Sequence, residues 1–223
     1  SVTDRDDEKE IAALVRVWPF RNSGNLLQNI RLGVGASVGS VDDLASGGLD
    51  LVSTELSIMW WESGAAAPAF DGRRTRIVPQ IQVPIGPLNL QAEYLIREDE
   101  FADGGPESEL ETSGFYVQAS YILTGEDKKP ENRIVPKGDW GAVELAVRFA
   151  RVTVENGVDA GLGAAVGNAE EMTSTTFGVN WWPVRMVRFS ANVVVERYDE
   201  ELFFDTREED ALVGFLLRGQ VDF

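Results

Sequence analysis

Val213-Gly-Phe-Leu-Leu-Arg-Gly-Gln-Val-Asp-Phe223 is the stretch on which the reading of this chain turns. Val213, Phe215, Leu217, Gly219, Val221 and Phe223 alternate with Gly214, Leu216, Arg218, Gln220 and Asp222. One face stays apolar to the last residue while the other gains a guanidinium, an amide and a carboxylate. That is the period-two pattern of a strand lying between two solvents. The edge strand of a soluble antiparallel sheet alternates in the same way, so the rest of the chain has to choose between the two.

Composition permits both, because 43% hydrophobic and 9% aromatic residues are ordinary for a soluble protein. No stretch approaches the roughly 20 apolar residues of a membrane-spanning helix. The chain contains no cysteine and no histidine. Disulfides, thiol catalysis, the usual general base and the commonest metal ligand are therefore missing, and the expectation is a non-enzyme with no catalytic residues, no cofactor and no metal. A formal charge of −17 argues against a nucleic-acid partner. The run Asp4-Arg5-Asp6-Asp7-Glu8-Lys9-Glu10 has no long apolar core behind it, so it is not a signal peptide. Either the sequence is mature or it starts partway through something longer.

Alternating segments with turn chemistry between them fall at roughly 9–19, 29–39, 73–84, 88–98, 112–123, 140–154, 172–183, 185–198 and 212–223, about nine strands with no convincing helix. Pro84-Ile-Gly-Pro87 and Pro183-Val-Arg185 read as tight turns, whereas 39–72, 99–111, 155–171 and 199–211 read as long acidic or glycine-rich loops. Short turns on one side and long loops on the other suit an outer-membrane barrel, with the short side periplasmic. The segment 123–139 breaks the rule as a long connection on the short side.

Two predicted strand ends echo each other: Trp18-Pro19-Phe20-Arg21 and Trp182-Pro183-Val184-Arg185. An aromatic ring, a proline that stops the ladder and a basic residue suit a membrane interface. Trp18, Phe20, Trp181, Trp182 and Phe223 are accordingly read as interface aromatics, although a soluble sandwich can also carry a Trp-Pro turn. A last strand closing on an aromatic resembles the C-terminal signature of bacterial outer-membrane β-barrels.

Four segments, in order, resemble the phosphate-selective porin O and P family: Gly86-Pro-Leu-Asn-Leu-Gln-Ala-Glu-Tyr94, Tyr121-Ile-Leu-Thr-Gly-Glu126, Lys137-Gly-Asp-Trp-Gly-Ala-Val-Glu-Leu-Ala-Val-Arg-Phe-Ala-Arg151 and Thr176-Phe-Gly-Val-Asn-Trp-Trp-Pro183. The resemblance weakens before Gly72-Arg73-Arg74-Thr75-Arg76. It implies a transmembrane antiparallel β-barrel of about 16 strands in the outer membrane of a Gram-negative bacterium, usually trimeric, passing anions such as phosphate or polyphosphate. About nine strands do not close such a barrel. The expectation is that residues 1–223 form a single β-barrel domain supplying the C-terminal strands of a longer barrel. Promoting 49–61 to a tenth strand of a small complete barrel is the other solution.

The alternation also assigns faces. Apolar Val34, Ile81, Leu90, Val117, Leu145, Phe149, Phe189, Val193 and Leu217 point outward, and the phase then turns Arg16, Arg31, Arg76, Arg97, Arg148, Arg188 and Arg218 inward, against Glu93, Glu144 and Glu196. These seven arginines are the candidate pore-lining, anion-contacting residues of a wet lumen, since arginine stays charged at any working pH. The bland alternative is that each is paired with a carboxylate across the strands and braces the wall.

Divalent-cation binding beside lipopolysaccharide is one reading of the acidic run 98–111, but it lacks the EF-hand pattern and reads first as a solvated loop. Gly157-Val-Asp-Ala-Gly-Leu-Gly-Ala-Ala-Val-Gly167 is followed by no Gly-Lys-Ser/Thr and reads as a loop tip. The expected partners are small anions, outer-membrane lipid and lipopolysaccharide, and further copies of the chain as a homotrimer. An occluded barrel serving as a docking subunit, a barrel enzyme and a soluble β-sandwich remain as rivals.

Overall fold

A computed structural model of the chain describes residues 9–43, 50–52, 55–62, 70–100, 109–128, 133–155, 169–204 and 207–222. The strands are β1 (Glu10–Val17), β2 (Arg31–Asp43), β3 (Asp50–Val52), β4 (Met59–Glu62), β5 (Phe70–Ile85), β6 (Leu88–Glu100), β7 (Glu109–Ile122), β8 (Ala142–Glu155), β9 (Glu171–Val184), β10 (Val187–Phe204) and β11 (Arg207–Val221). A 3₁₀ turn, Leu26–Asn29, is capped by Asn25, whose side chain accepts the Leu27 N–H at 2.9 Å. Phe223 and the glycine-rich stretch 157–167 lie outside the described residues.

Nine strands form one antiparallel sheet in the order β1-β2-β5-β6-β7-β8-β9-β10-β11. Every neighbour is also a neighbour in sequence except across β2 and β5, where β3 and β4 form a separate two-stranded sheet. All nine expected wall strands are present. The β5–β6 hairpin turns in two residues, Gly86 and Pro87, and Gly86 has φ 56°, the left-handed value that a primed turn needs at its first loop position. The β2–β5, β6–β7 and β8–β9 connections leave from the opposite end of the sheet, whereas residues 18–30 and 123–141 are longer connections at the short-turn end.

The structure excludes one alternative and corrects one expectation. Residues 49–61 do not add a tenth wall strand, because β3 and β4 pair only with each other. The segment 199–211 is largely ladder, not loop: β10 pairs with β11 out to Phe204 opposite Arg207, past an irregularity between Arg197 and Leu202. Beyond the apolar band both faces of a strand are wet, so polar residues there say nothing against pairing.

The two faces of the sheet have opposite chemistry. On the outer face, cross-strand pairing sets Ile81 beside Ala92, Ala92 beside Val117 and Val117 beside Phe149. Leu217 is 85% and Phe215 77% exposed, so an apolar surface meets whatever surrounds the sheet. Towards the long-loop end this face turns acidic: Glu98 pairs with Glu111, and Glu111 with Glu155.

The apolar core of the molecule lies on the inner face. Trp60 and Trp61 of β4 are buried with Leu110, Val154, Ala169, Met172, Tyr198 and Leu202, and the Ala169 N–H donates to the Trp60 carbonyl at 3.0 Å. An isolated two-stranded hairpin is marginal in water. Each buried tryptophan removes roughly 200 Å² from water, about 5 kcal/mol, and that burial offsets the cost of ordering the hairpin. A second cluster, Ile122, Ile134, Ala142 and Trp182, holds the 123–141 connection at the short-turn end.

Candidate functional site: the inner face of the sheet

Register places all seven sequence-predicted arginines on one face. Arg31 pairs with Gln82, Gln82 with Gln91, Gln91 with Gln118 and Gln118 with Arg148. Arg16 occupies the neighbouring rung through Gly33, Gln80 and Glu93. Arg76 lies directly opposite Arg97, and Arg188 and Arg218 face Gln220 and Ser190. Because strand side chains alternate, a consistent phase over nine strands keeps this whole set together.

Their partners divide them. At the long-loop end Arg76 Nη1 meets Glu10 at 2.8 Å. Arg97 Nε meets Asp99 at 2.5 Å, and Asp99, 1% exposed, also pairs with Arg74. Two like charges directly opposite each other are unfavourable, and these carboxylates neutralise them. Arg76 and Arg97 therefore brace the wall.

Nearer the short-turn end the arginines rest on rings and amides. The Arg148 guanidinium lies 4.2 Å from the Tyr116 ring centre, and its buried Nε has no hydrogen-bond partner among the described residues. Arg188 donates to Gln220 Oε1 at 2.7 Å and lies 5.9 Å from Trp182. Arg31 stacks on Trp18 at 5.4 Å, and Arg16 reaches Gln80 Oε1 at 3.4 Å. Among the described residues Arg16, Arg148, Arg188 and Arg218 form no ion pair. A guanidinium held over a ring keeps its charge and has donors left for a third party.

The interface aromatics divide as well. Trp181 faces outward, stacks on Phe189 at 5.7 Å and donates Nε1–H to the Trp140 carbonyl at 2.8 Å. Phe20 is exposed. Trp18 and Trp182 instead turn to the arginine side of the sheet, each lying beneath one guanidinium. Trp140, 89% exposed just ahead of β8, is an aromatic that the sequence reading did not single out, although the expected strand 140–154 begins on it.

The same connection adds polar groups that sequence reasoning did not single out. Lys128 pairs with Glu144, a wall carboxylate only 2% exposed. Asn180 Nδ2 donates to the other Glu144 oxygen at 2.9 Å and Ser190 Oγ donates to Asn180 Oδ1 at 2.6 Å. Burial pushes the Glu126 carboxyl up, but hydrogen bonds from the Thr124 hydroxyl and the Lys137 backbone N–H outweigh it and hold the group below the ordinary glutamate range. Glu196, fully buried, accepts from the Tyr198 hydroxyl at 2.7 Å. Of the three sequence-predicted wall acids, Glu144 and Glu196 are thus tied into local networks.

A family model described as phosphate-selective porin O and P matches residues 2–212. Porin O of Pseudomonas aeruginosa is 30% identical over 152 residues, which is 62% of this chain and 33% of that protein. The match therefore spans about a third of the length of that curated relative.

Proposed function

The chain belongs to the phosphate-selective porin O and P family, and on that premise we propose that it forms the wall of a passive diffusion channel preferring small anions such as phosphate. It is an all-β, outer-membrane porin chain, read here as one β-barrel domain. Solute moves down its gradient, and arginine side chains replace part of the anion's hydration shell. No reaction is catalysed.

The observation that carries the reading is the division of the wall. Four inner-face arginines have no ion pair among the described residues, while the outer face at the same heights is apolar. A water-filled lumen surrounded by lipid asks for that contrast. Assembly as a homotrimer and contact of the outer face with lipid and lipopolysaccharide belong to the same proposal.

The direct test replaces Arg148, Arg188 and Arg218 with glutamine in protein purified from outer membranes. The triple variant is expected to assemble normally and to lose several-fold in chloride-over-potassium permeability. It is also expected to lose most of the block of chloride current by added phosphate. Unchanged selectivity in an assembled variant rejects the arginine mechanism.

A second reading has its own observation: both the β3–β4 hairpin and, from the 123–141 connection, Lys128 and Ile134 pack on the inner face, as in an occluded barrel that serves for docking. A folded protein that inserts into bilayers and passes no current selects this reading.

A further inference from the structure

Three glutamines stand side by side on the inner face. Register makes them part of one rung, in which Gln82, Gln91, Gln118, Arg148 and Thr176 follow one another on β5 to β9. Directly opposed side chains have Cβ atoms about 5 Å apart. Gln118 and Gln91 therefore stand roughly 5 and 10 Å from Arg148 along the rung. Gln80 adds a fourth amide on the next rung, and with Gln82, Gln91, Glu93 and Tyr116 it lines a cavity of about 140 Å³. At roughly 30 Å³ per liquid water, that space holds a few waters or part of a small solute.

An anion wall needs charge, and glutamine supplies none. What a row of amides adds is paired hydrogen bonding: each carries two N–H donors and a carbonyl acceptor, the complement of a hydroxyl, which donates once and accepts twice. Gln82 is committed to Asn89 Oδ1 at 3.3 Å and Gln80 to Arg16. Gln91 and Gln118 form no side-chain hydrogen bond among the described residues. Beside them Arg148 lies over Tyr116, and its buried Nε has no partner there either. Glu93, the acid lining the cavity, lies across the ladder from Tyr116 and interacts with its hydroxyl. A solute thus has a preferred direction on the rung: its anionic head goes to Arg148, away from Glu93, and its neutral part runs over Gln118 and Gln91.

We infer that Gln91 and Gln118 are specificity-determining residues, giving this rung a preference for anions that carry hydroxyl groups, of the polyol-phosphate and sugar-phosphate type, over equally charged anions without them. The inference rests on the channel reading above and adds the class of solute favoured beside Arg148. A hydroxyl over the amides replaces water at no loss of hydrogen bonds, whereas an alkyl group in the same place leaves them unpaired.

The test compares glycerol 3-phosphate with propyl phosphate, monoesters of like charge and similar length, as blockers of chloride current through the wild-type protein in planar bilayers. Glycerol 3-phosphate is expected to halve the current at about a threefold lower concentration. Replacing both glutamines by methionine, Gln91→Met with Gln118→Met, keeps side-chain length and removes the hydrogen bonds, and is expected to bring the ratio of the two concentrations close to one. Equal block of the wild type by the two esters, block by neither, or a ratio that the double replacement leaves unchanged overturns the inference and leaves the channel reading standing. The wild-type comparison decides by itself if the double variant does not assemble. A wild-type protein that inserts and does not conduct overturns the channel reading, and the inference with it.

Discussion

Arg97 and Arg148 sit on the same face of the same sheet, were both picked out by the same alternation, and do different jobs. Arg97 at the long-loop end is locked with Arg74 onto Asp99, a carboxylate with almost no exposure. Arg148 lies over the Tyr116 ring with no carboxylate partner among the described residues. The difference lies in the nearest partner, an acid two residues along the same strand for Arg97 and a ring on the neighbouring strand for Arg148. A row of inward arginines is therefore not by itself an anion path. The path is the subset whose charge the wall has not already cancelled.

The most forceful way to break this contrast is to remove the acid at the long-loop end. Asp99→Ala leaves Arg74 and Arg97 without the carboxylate they share, and is expected to cost about 3–5 kcal/mol in urea unfolding from lipid vesicles. A cost below about 1 kcal/mol would mean that the cluster is solvated rather than structural.

Selectivity sharpens the comparison from the other end. Arg148→Gln is expected to lower chloride-over-potassium permeability about twofold, whereas Arg76→Gln, which removes a charge already paired with Glu10, leaves it within error. Equal effects from the two would erase the distinction between bracing and contacting arginines.

A smaller effect belongs to Glu126, a carboxylate satisfied by hydroxyl and backbone donors instead of a guanidinium. Its folded state titrates below the ordinary glutamate value. Its contribution is thus present in full above that ordinary value and is lost as pH falls through the lower, folded one. Glu126→Gln is expected to cost about 1 kcal/mol at neutral pH and to flatten the acid limb of the stability–pH curve. An unchanged acid limb assigns that limb to other carboxylates.

The smallest expected effect has the opposite sign. Glu98, Glu111 and Glu155 stand in one outward cross-strand row with like charges directly opposed. Glu111→Lys turns two repulsions into attractions and is expected to stabilise by about 0.5 kcal/mol in low salt, fading as salt is added.

Much of the wall was legible in the sequence because side-chain direction in a strand depends only on parity. Once Leu217 was set outward, Arg218 and, through the ladder, Arg148 and Arg31 had nowhere else to point. Partners were not legible, since nothing local pairs Arg76 with Glu10 or lays Arg148 on Tyr116. Adjacent Trp60 and Trp61 were a signal that could have been used: a wall strand would send one ring to lipid and one into the lumen, and only a separate element packed on an apolar cluster buries both. Tandem Trp181 and Trp182 show the wall case, one ring outward and one beneath Arg188. The 199–211 ladder escaped because alternation fades where a strand leaves the apolar band.

The central claim is tested most directly by the zero-current potential across a planar bilayer holding the protein purified from outer membranes, under a potassium chloride gradient. The account expects a chloride-selective potential that moves towards zero when Arg148, Arg188 and Arg218 are replaced together by glutamine. A potassium-selective potential, or a chloride-selective one that the triple replacement leaves in place, contradicts it.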